Sequence, residues 1–252
     1  MTKNNIIGLV AVRLNSKRLE KKAFLSLYYK KVIHRLIERI KDSKYLNDIA
    51  ICTSTHKLDN DIANFSKKNN IKVFRGSEKN VMSRFLIAGK NLKANHIVRI
   101  TGDNPLTDPK IMDSLIKNHL KNNNEYTFSS SAPVGTSSEI IKFDTLIKCY
   151  DYLIDPNSSE YMSWMLNRPD VFKVEDVLFA GPLLKFNNII FTLDEKNEYL
   201  NLKKIYNNFK GNPPSLIKII DWIIKNPNLH SKMTKQKKLK KIKNINCKFK
   251  FD

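Results

Sequence analysis

The sequence predicts an α/β fold: a mostly parallel, doubly wound sheet in a Rossmann-like three-layer sandwich. Three observations carry this. Short β-branched runs alternate with stretches of helical periodicity through the first half of the chain. The runs lack the apolar–polar alternation of a half-solvated strand, so they read as strands buried on both faces. Polar, charged and Gly-containing segments at 13–22, 53–59, 75–80 and 101–108 each follow a predicted strand. That places them at the carboxyl edge, where sheets of this kind bind ligands.

The elements follow in order. Ile6 to Val12 is a β-branched apolar run that stops at Arg13, the first strand. Lys31 to Ser43 spaces Val32, Ile33, Leu36, Ile37 and Ile40 as one helix face. Asn47 to Thr53 is a second strand, Leu58 to Asn69 a helix, and Ile71 to Phe74 a short third strand ending at Arg75-Gly76. Val81 to Leu92 is a helix carrying Arg84, and His96 to Thr101 a fourth strand ending at Gly102-Asp103. Asp108-Pro109 starts a helix running to Leu120, since Pro suits the first helical position. Tyr126 to Ser130 reads as another strand. The second half is less regular. Helices are expected over Phe143 to Ile154, Ser158 to Leu166, Glu195 to Phe209 and Ser215 to Lys225, with a strand at Ile189 to Leu193 ending at Asp194. Residues 1–228 are expected to form one domain, followed by a Lys-rich extension, 229–252, that is loosely docked or disordered.

A chain of 252 residues buries a sizeable core. No segment approaches the apolar length of a membrane span, and Ile6 to Val12 is too short for a signal peptide. Cys52, Cys149 and Cys247 form neither a pair spacing nor a metal motif, which suits a reducing cytoplasm. The net charge of +21 suggests a nucleic-acid partner, but only eight of the 45 basic residues are Arg. Readers of nucleic acid lean on Arg forks, so the Lys excess reads as solvated surface and no nucleic-acid partner is expected. The arginines are placed more selectively: Arg13, Arg18, Arg75, Arg84 and Arg99 all lie in or beside predicted strand-end loops.

The loop after the first strand holds Arg13, Lys17, Arg18, Lys21 and Lys22. Neither glycine motif that cradles phosphate with backbone amides is present. A phosphate here would be held by side-chain cations, with Arg13 and Arg18 as forked donors and Lys22 as a charge against a leaving pyrophosphate. In so Lys-rich a chain a solvated basic loop fits equally well. Asp103 ends a buried strand at the ligand edge, and Asp194 ends the run Ile189 to Leu193 in the same way. Two such carboxylates suit a magnesium ion shared with substrate phosphates, although a strand-end Asp is more commonly a cap or a turn. The five histidines share no ligand spacing, and no nucleophile elbow or Ser-His-Asp set is present. Asp59-Asn60-Asp61 matches a D-x-D pattern formally but reads as a helix start.

Val10-Ala11-Val12-Arg13-Leu14-Asn15-Ser16-Lys17-Arg18-Leu19-Glu20-Lys21-Lys22 resembles the A-R-x-x-S-x-R-L-P-G-K opening of the CMP-sugar synthetases. These cytidylyltransferases activate 3-deoxy-manno-octulosonate and acylneuraminates. Three further stretches are similar to the spore coat polysaccharide biosynthesis SpsF-type branch: Val73 to Val81, Val98 to Leu106 (V-R-I-T-G-D-N-P-L) and Thr192-Leu193-Asp194. The resemblance implies a nucleotidyltransferase (GT-A-like) sandwich and a magnesium-dependent transfer of CMP from CTP to a small anionic acceptor, with release of pyrophosphate, for a surface glycan. It implies that Arg13, Ser16, Arg18 and Lys22 hold the triphosphate, with Arg13, Lys22 and Asp103 as the catalytic set. It places Thr53 and Arg75 near base and ribose, Asp103 and Asp194 on Mg2+, and Arg99, Glu139 and Glu160 toward the acceptor. A homodimer is expected on the same ground. The chain departs from the pattern at Glu20-Lys21, where the family has Pro-Gly, and at Ser159 and Tyr161, where the branch has Arg and His. Other readings are a nucleotide-sugar-dependent glycosyltransferase, a non-catalytic nucleotide binder on the same scaffold and a basic nucleic-acid binder.

Overall fold

The computed structural model describes residues 4–16, 18–234 and 248–252, with backbone alone at Ser158 and Glu160. Strand β1 (Ile6–Ala11) is buried on both faces. A hairpin that the sequence reading did not separate follows, β2 (Ser26–Leu27) and β3 (Lys30–Lys31), turned by Tyr28 and Tyr29 at φ 46° and 66°. Helix α1 (Val32–Ile40), β4 (Asp48–Ser54), α2 (Asn60–Lys68), β5 (Lys72–Gly76), α3 (Val81–Asn91), β6 (His96–Thr101) and α4 (Pro109–Asn122) come next. All fall where the periodicity predicts them. Asp108 caps α4, accepting from the N–H groups of Lys110 and Ile111 at 2.9 and 3.2 Å. Beyond it lie β7 (Tyr126–Phe128), β8 (Glu139–Lys142), α5 (Phe143–Tyr152), α6 (Met162–Leu166), β9 (Val174–Asp176), α7 (Pro182–Lys185), α8 (Lys196–Asn208), α9 (Leu216–Ile224) and α10 (Pro227–Met233).

The sheet order is β5-β4-β1-β6-β8-β7-β9. Strands β5, β4, β1 and β6 are mutually parallel, and β8 runs against both of its neighbours. Successive residues of β1 face opposite layers, as the pleat requires. Val10 joins a core with Leu36, Leu115, Ile205 and Ile219 from α1, α4, α8 and α9. Leu9 joins a second core with Phe85, Leu146 and Met165 from α3, α5 and α6. The result is the mostly parallel three-layer sandwich that the sequence predicts.

Three expectations are corrected. Ile189 to Leu193 is not a strand of the sheet. It is an extended segment bridged singly to Val134 and Thr234, and Ile189, Phe191 and Leu193 are apolar because all three are buried in the first core. The strand expected to reach Ser130 ends at Phe128, and Ser130 turns to donate its N–H to Asp176 at 2.8 Å. The helix expected from Ser158 starts as a 3-10 turn over Pro156–Tyr161 and is α only from Met162. The Lys-rich extension is described only at its two ends, where Leu229 and Met233 enter the first core and Phe249 is fully buried in the second; the expectation for 235–247 lies outside the described residues. Among the described residues no helix is long and apolar enough to cross a membrane.

Candidate active site

An open cleft of ≈ 740 Å³ lies at the carboxyl edge of β1 and β6, the size range of small-molecule sites. Three distant stretches form much of its wall, the loop after β1, the loop after β6 and the segment ending at Asp194, and Glu78, Val81, Arg84 and Tyr161 line it as well.

The loop after β1 is held from below. Leu14 is fully buried, and its N–H donates to Asp59 Oδ1 at 2.8 Å. The other oxygen of Asp59 accepts from the N–H of Ser54 at 3.1 Å and from the Ser54 hydroxyl. Asp59 is itself fully buried, so it ties the loop to the end of β4 and cannot present a D-x-D pair to a sugar nucleotide. At the Glu20-Lys21 departure the backbone still takes a glycine-type turn, with Lys21 at φ 47°, ψ 31°. Glu20 is exposed and does not line the cleft. A short 3-10 turn, Lys22–Phe24, then delivers Lys22 into the site.

Glycine supports the other two walls. A Cβ on Gly102 would lie 2.5 Å from Cβ of Val12, and the Gly102 N–H donates to the Ala11 carbonyl at 2.8 Å. The β6 loop therefore lies directly on the β1 loop, with Asp103 next in sequence. Gly135, at φ 88°, leaves room for the backbone of Phe191 and Thr192, which a Cβ would approach to 2.7 and 2.6 Å. That packing fixes the segment leading to Asp194.

Lys22 Nζ bonds Asp103 Oδ2 and lies 2.7 Å from Asp194 Oδ1. Arg18 Nη1 sits 2.8 Å from Asp194 Oδ2. Burial works to lower the Lys22 pKa, but Asp103 and then Asp194 outweigh it and hold the ammonium above its usual value. For Asp194, burial raises the pKa and Lys22 and Arg18 more than reverse it, so the carboxylate stays ionised. Two carboxylates thus converge on one cationic nitrogen. That donor set suits a magnesium ion completed by substrate phosphate oxygens, and among the described residues no third carboxylate, His or Cys joins it.

Arg13, Ser16, Arg18, Lys22, Arg99, Asp103 and Asp194, all proposed from sequence, line the cleft together. Arg99 pairs with Glu139 at 2.8 Å, and the Ser163 hydroxyl donates to the same Glu139 oxygen at 2.7 Å. The Glu160 side chain lies outside the described residues. Thr53 and Arg75 do not line the cleft. Thr53 is fully buried, and Arg75 donates to the carbonyls of Ser54 and His56 at 3.0 and 3.2 Å. Sequence reasoning missed Asp59 as the loop anchor and gave Arg84 no role. It also missed that Ser159 is buried, accepting from the Met82 N–H at 3.0 Å and donating to Asn80 Oδ1 at 3.1 Å. The serine at that position closes the start of α3. Tyr161, by contrast, lines the cleft.

The arrangement is that of a nucleotide-handling α/β protein, and family comparison gives the class. The model of the cytidylyltransferases matches residues 7–178, and the chain belongs to that family. It is 36% identical to an uncharacterized protein of Methanocaldococcus jannaschii, over 89% of this chain and 92% of that protein. It is 28% identical to the spore coat polysaccharide biosynthesis protein SpsF of Bacillus subtilis, over 89% of this chain and 96% of that protein. The solved structure of a cytidylyltransferase from Leptospira borgpetersenii superposes with TM-score 0.80 at 27% identity, covering 94% of this chain and 98% of that one.

Proposed function

We propose that the protein is a CTP-dependent, magnesium-dependent cytidylyltransferase that transfers CMP to a sugar acid or related anionic acceptor and releases pyrophosphate. The observation that carries the reading is the convergence of Lys22 with Asp103 and Asp194 in a cleft that also holds Arg13 and Arg18. A cationic loop facing two carboxylates suits a nucleoside triphosphate and a metal.

In this reading the acceptor oxygen attacks the α-phosphorus. The bond to the bridging oxygen breaks, and pyrophosphate leaves with the electron pair. Such a reaction needs positioning and charge neutralisation rather than a covalent intermediate. Arg13, Ser16 and Arg18 bind the triphosphate, and Lys22 supplies fixed positive charge against the leaving pyrophosphate. Asp103 and Asp194 would hold magnesium, which polarises phosphoryl oxygens when bound. Arg99, held by Glu139, turns the second face of the cleft toward the acceptor. The Bacillus relative is a spore coat polysaccharide biosynthesis protein, which supports a role in surface glycan synthesis.

A pyrophosphate-release screen of the four nucleoside triphosphates against sugar acids, sugar phosphates and polyol phosphates tests this. CTP with one acceptor class is expected to turn over. Asp103→Ala should abolish most of that turnover with the melting temperature retained. Pyrophosphate release that Asp103→Ala leaves unchanged would sink the metal assignment.

A further inference from the structure

Arg84 is 3% exposed and lines the cleft from α3. Buried charges in folded proteins are normally paired. The other well-buried arginines obey this: Arg35 reaches Glu38, Arg39 reaches Asp108, and Arg99 reaches Glu139. Arg84 has no carboxylate in ion-pairing distance among the described residues. Its Nη1 donates to the Cys52 carbonyl at 3.4 Å, long for a hydrogen bond, and its Nε is buried with no acceptor.

The surroundings sharpen the imbalance. Burial lowers the Arg84 pKa. Cys52 would oppose this only as a thiolate, and burial pushes its thiol up to about 12. Arg13 repels Arg84, and Asp59 and Glu78 attract it only at longer range. Both of those carboxylates are already engaged, Asp59 by Leu14 and Ser54 and Glu78 by Asn15 at 3.0 Å. The first amides of α3 are also spent, on Ser159 and Asn80. The Arg84 guanidinium therefore faces a cleft, lined also by Arg13, in which the described carboxylates nearest to it are committed elsewhere. A multiply charged anion would neutralise it.

We propose that Arg84 is a phosphate-binding residue, which together with Arg13 holds the polyphosphate of the bound nucleotide; the inference rests on the nucleotidyl-transfer reading. Calorimetric titration of wild type, Arg84→Met and Arg84→Lys with inorganic tripolyphosphate and with CTP tests it, together with ligand-free melting curves. Arg84→Met is expected to weaken both ligands by roughly 10- to 100-fold, the effect of losing charge-assisted hydrogen bonds. Its ligand-free melting temperature should hold or rise, because an unpaired buried charge is removed while the aliphatic stem is kept. Arg84→Lys should recover part of the affinity. Tripolyphosphate and CTP affinities within two-fold of wild type in Arg84→Met would overturn the inference while leaving the nucleotide reading intact. So would an affinity loss accompanied by a fall in ligand-free melting temperature that Arg84→Lys does not reverse. If wild type binds tripolyphosphate in an Arg84-dependent way yet prefers no nucleotide, the inference stands and the cytidylyltransferase reading falls.

Discussion

Lys22 and Asp194 are 172 positions apart in sequence, and Lys22 Nζ lies 2.7 Å from Asp194 Oδ1. The contact closes the cleft between the first loop of the chain and a segment outside the main sheet. Asp103 completes the triangle from β6. The lysine side chain is only 13% exposed, and the two aspartates 18% and 29%. Solvent therefore screens the triangle only in part.

Removing the central charge leaves two carboxylates facing each other. Lys22→Met is expected to cost about 2 kcal/mol of stability in chelator-buffered solution, the range of a charge-assisted bond. Magnesium should recover more of the melting temperature in the variant than in wild type, since the ion replaces the missing cation. Turnover is expected to fall roughly 100- to 1000-fold, as for loss of one preorganised donor at a developing charge. Melting curves with and without magnesium, and pyrophosphate release, measure both effects. A variant that magnesium stabilises no more than wild type would show that the aspartates do not form a metal site.

Asp59 gives a separate test of how the loop is held. It accepts hydrogen bonds through both oxygens in full burial. Asp59→Asn turns an amide NH2 against at least one donor, at a cost of about 2 kcal/mol for the unsatisfied buried group. Because the bond to Leu14 fixes the start of the cationic loop, KM for the nucleotide should rise along with the loss of stability. Unchanged KM in a destabilised variant would confine Asp59 to folding.

The left half of the sheet was legible because β1 and β4 are buried on both faces and carry apolar runs, as parallel pairing favours, and β6 keeps Ile97, Val98 and Ile100 buried around Arg99. The right half was not. Strands β7 and β9 have three residues each, and Val174-Glu175-Asp176 carries no apolar pattern. At Ile189 to Leu193 a buried extended segment and a buried strand share one composition, so the expectation brought Asp194 to the strand-end cleft, which it lines, for a partly wrong reason. Arg13, Arg18, Lys22, Asp103 and Asp194 could be read because each lies in a segment that follows a predicted strand. Thr53 and Arg75 lie at the ends of β4 and β5, and only the packing shows them turned to the core and to loop carbonyls. Asp59 was hidden for the converse reason: its partner Leu14 lies 45 residues away, and no local pattern announces such a bond.

Lys21 is an exposed residue in left-handed backbone, where L side chains crowd the carbonyl at a cost of roughly 1 kcal/mol or more. Lys21→Gly is expected to raise stability by up to about 1 kcal/mol, or roughly 2–4 °C for a chain of this size. Lys21→Ile should lower it, since a β-branched side chain tolerates positive φ least. Calorimetric melting of the two variants decides the matter. Destabilisation by Lys21→Gly would mean that the lysine side chain makes a contact worth more than the backbone strain.

His119 predicts a pH dependence far from the cleft. It is fully buried, with Nδ1 2.9 Å from Thr127 Oγ1 and Nε2 3.1 Å from His96 Nδ1. Burial lowers its pKa to about 3, helped by His96 and Lys142, and the His96 pKa is lowered as well, chiefly by burial and then by Lys142. Unfolded, a histidine titrates near 6.5, so between about pH 6.5 and 3 the unfolded chain binds a proton that folded His119 refuses. The contribution is fully present above pH 6.5 and is lost as the pH falls. Lowering the pH from 7.5 to 5 should remove roughly 2 kcal/mol on this account, a range in which most carboxylates stay ionised. His119→Gln replaces the imidazole with a group that cannot charge, so its stability should vary less with pH even where its absolute value is lower. Urea unfolding at pH 7.5, 6 and 5 gives both slopes. Equal slopes for wild type and His119→Gln would show that the buried histidine pair does not govern acid sensitivity.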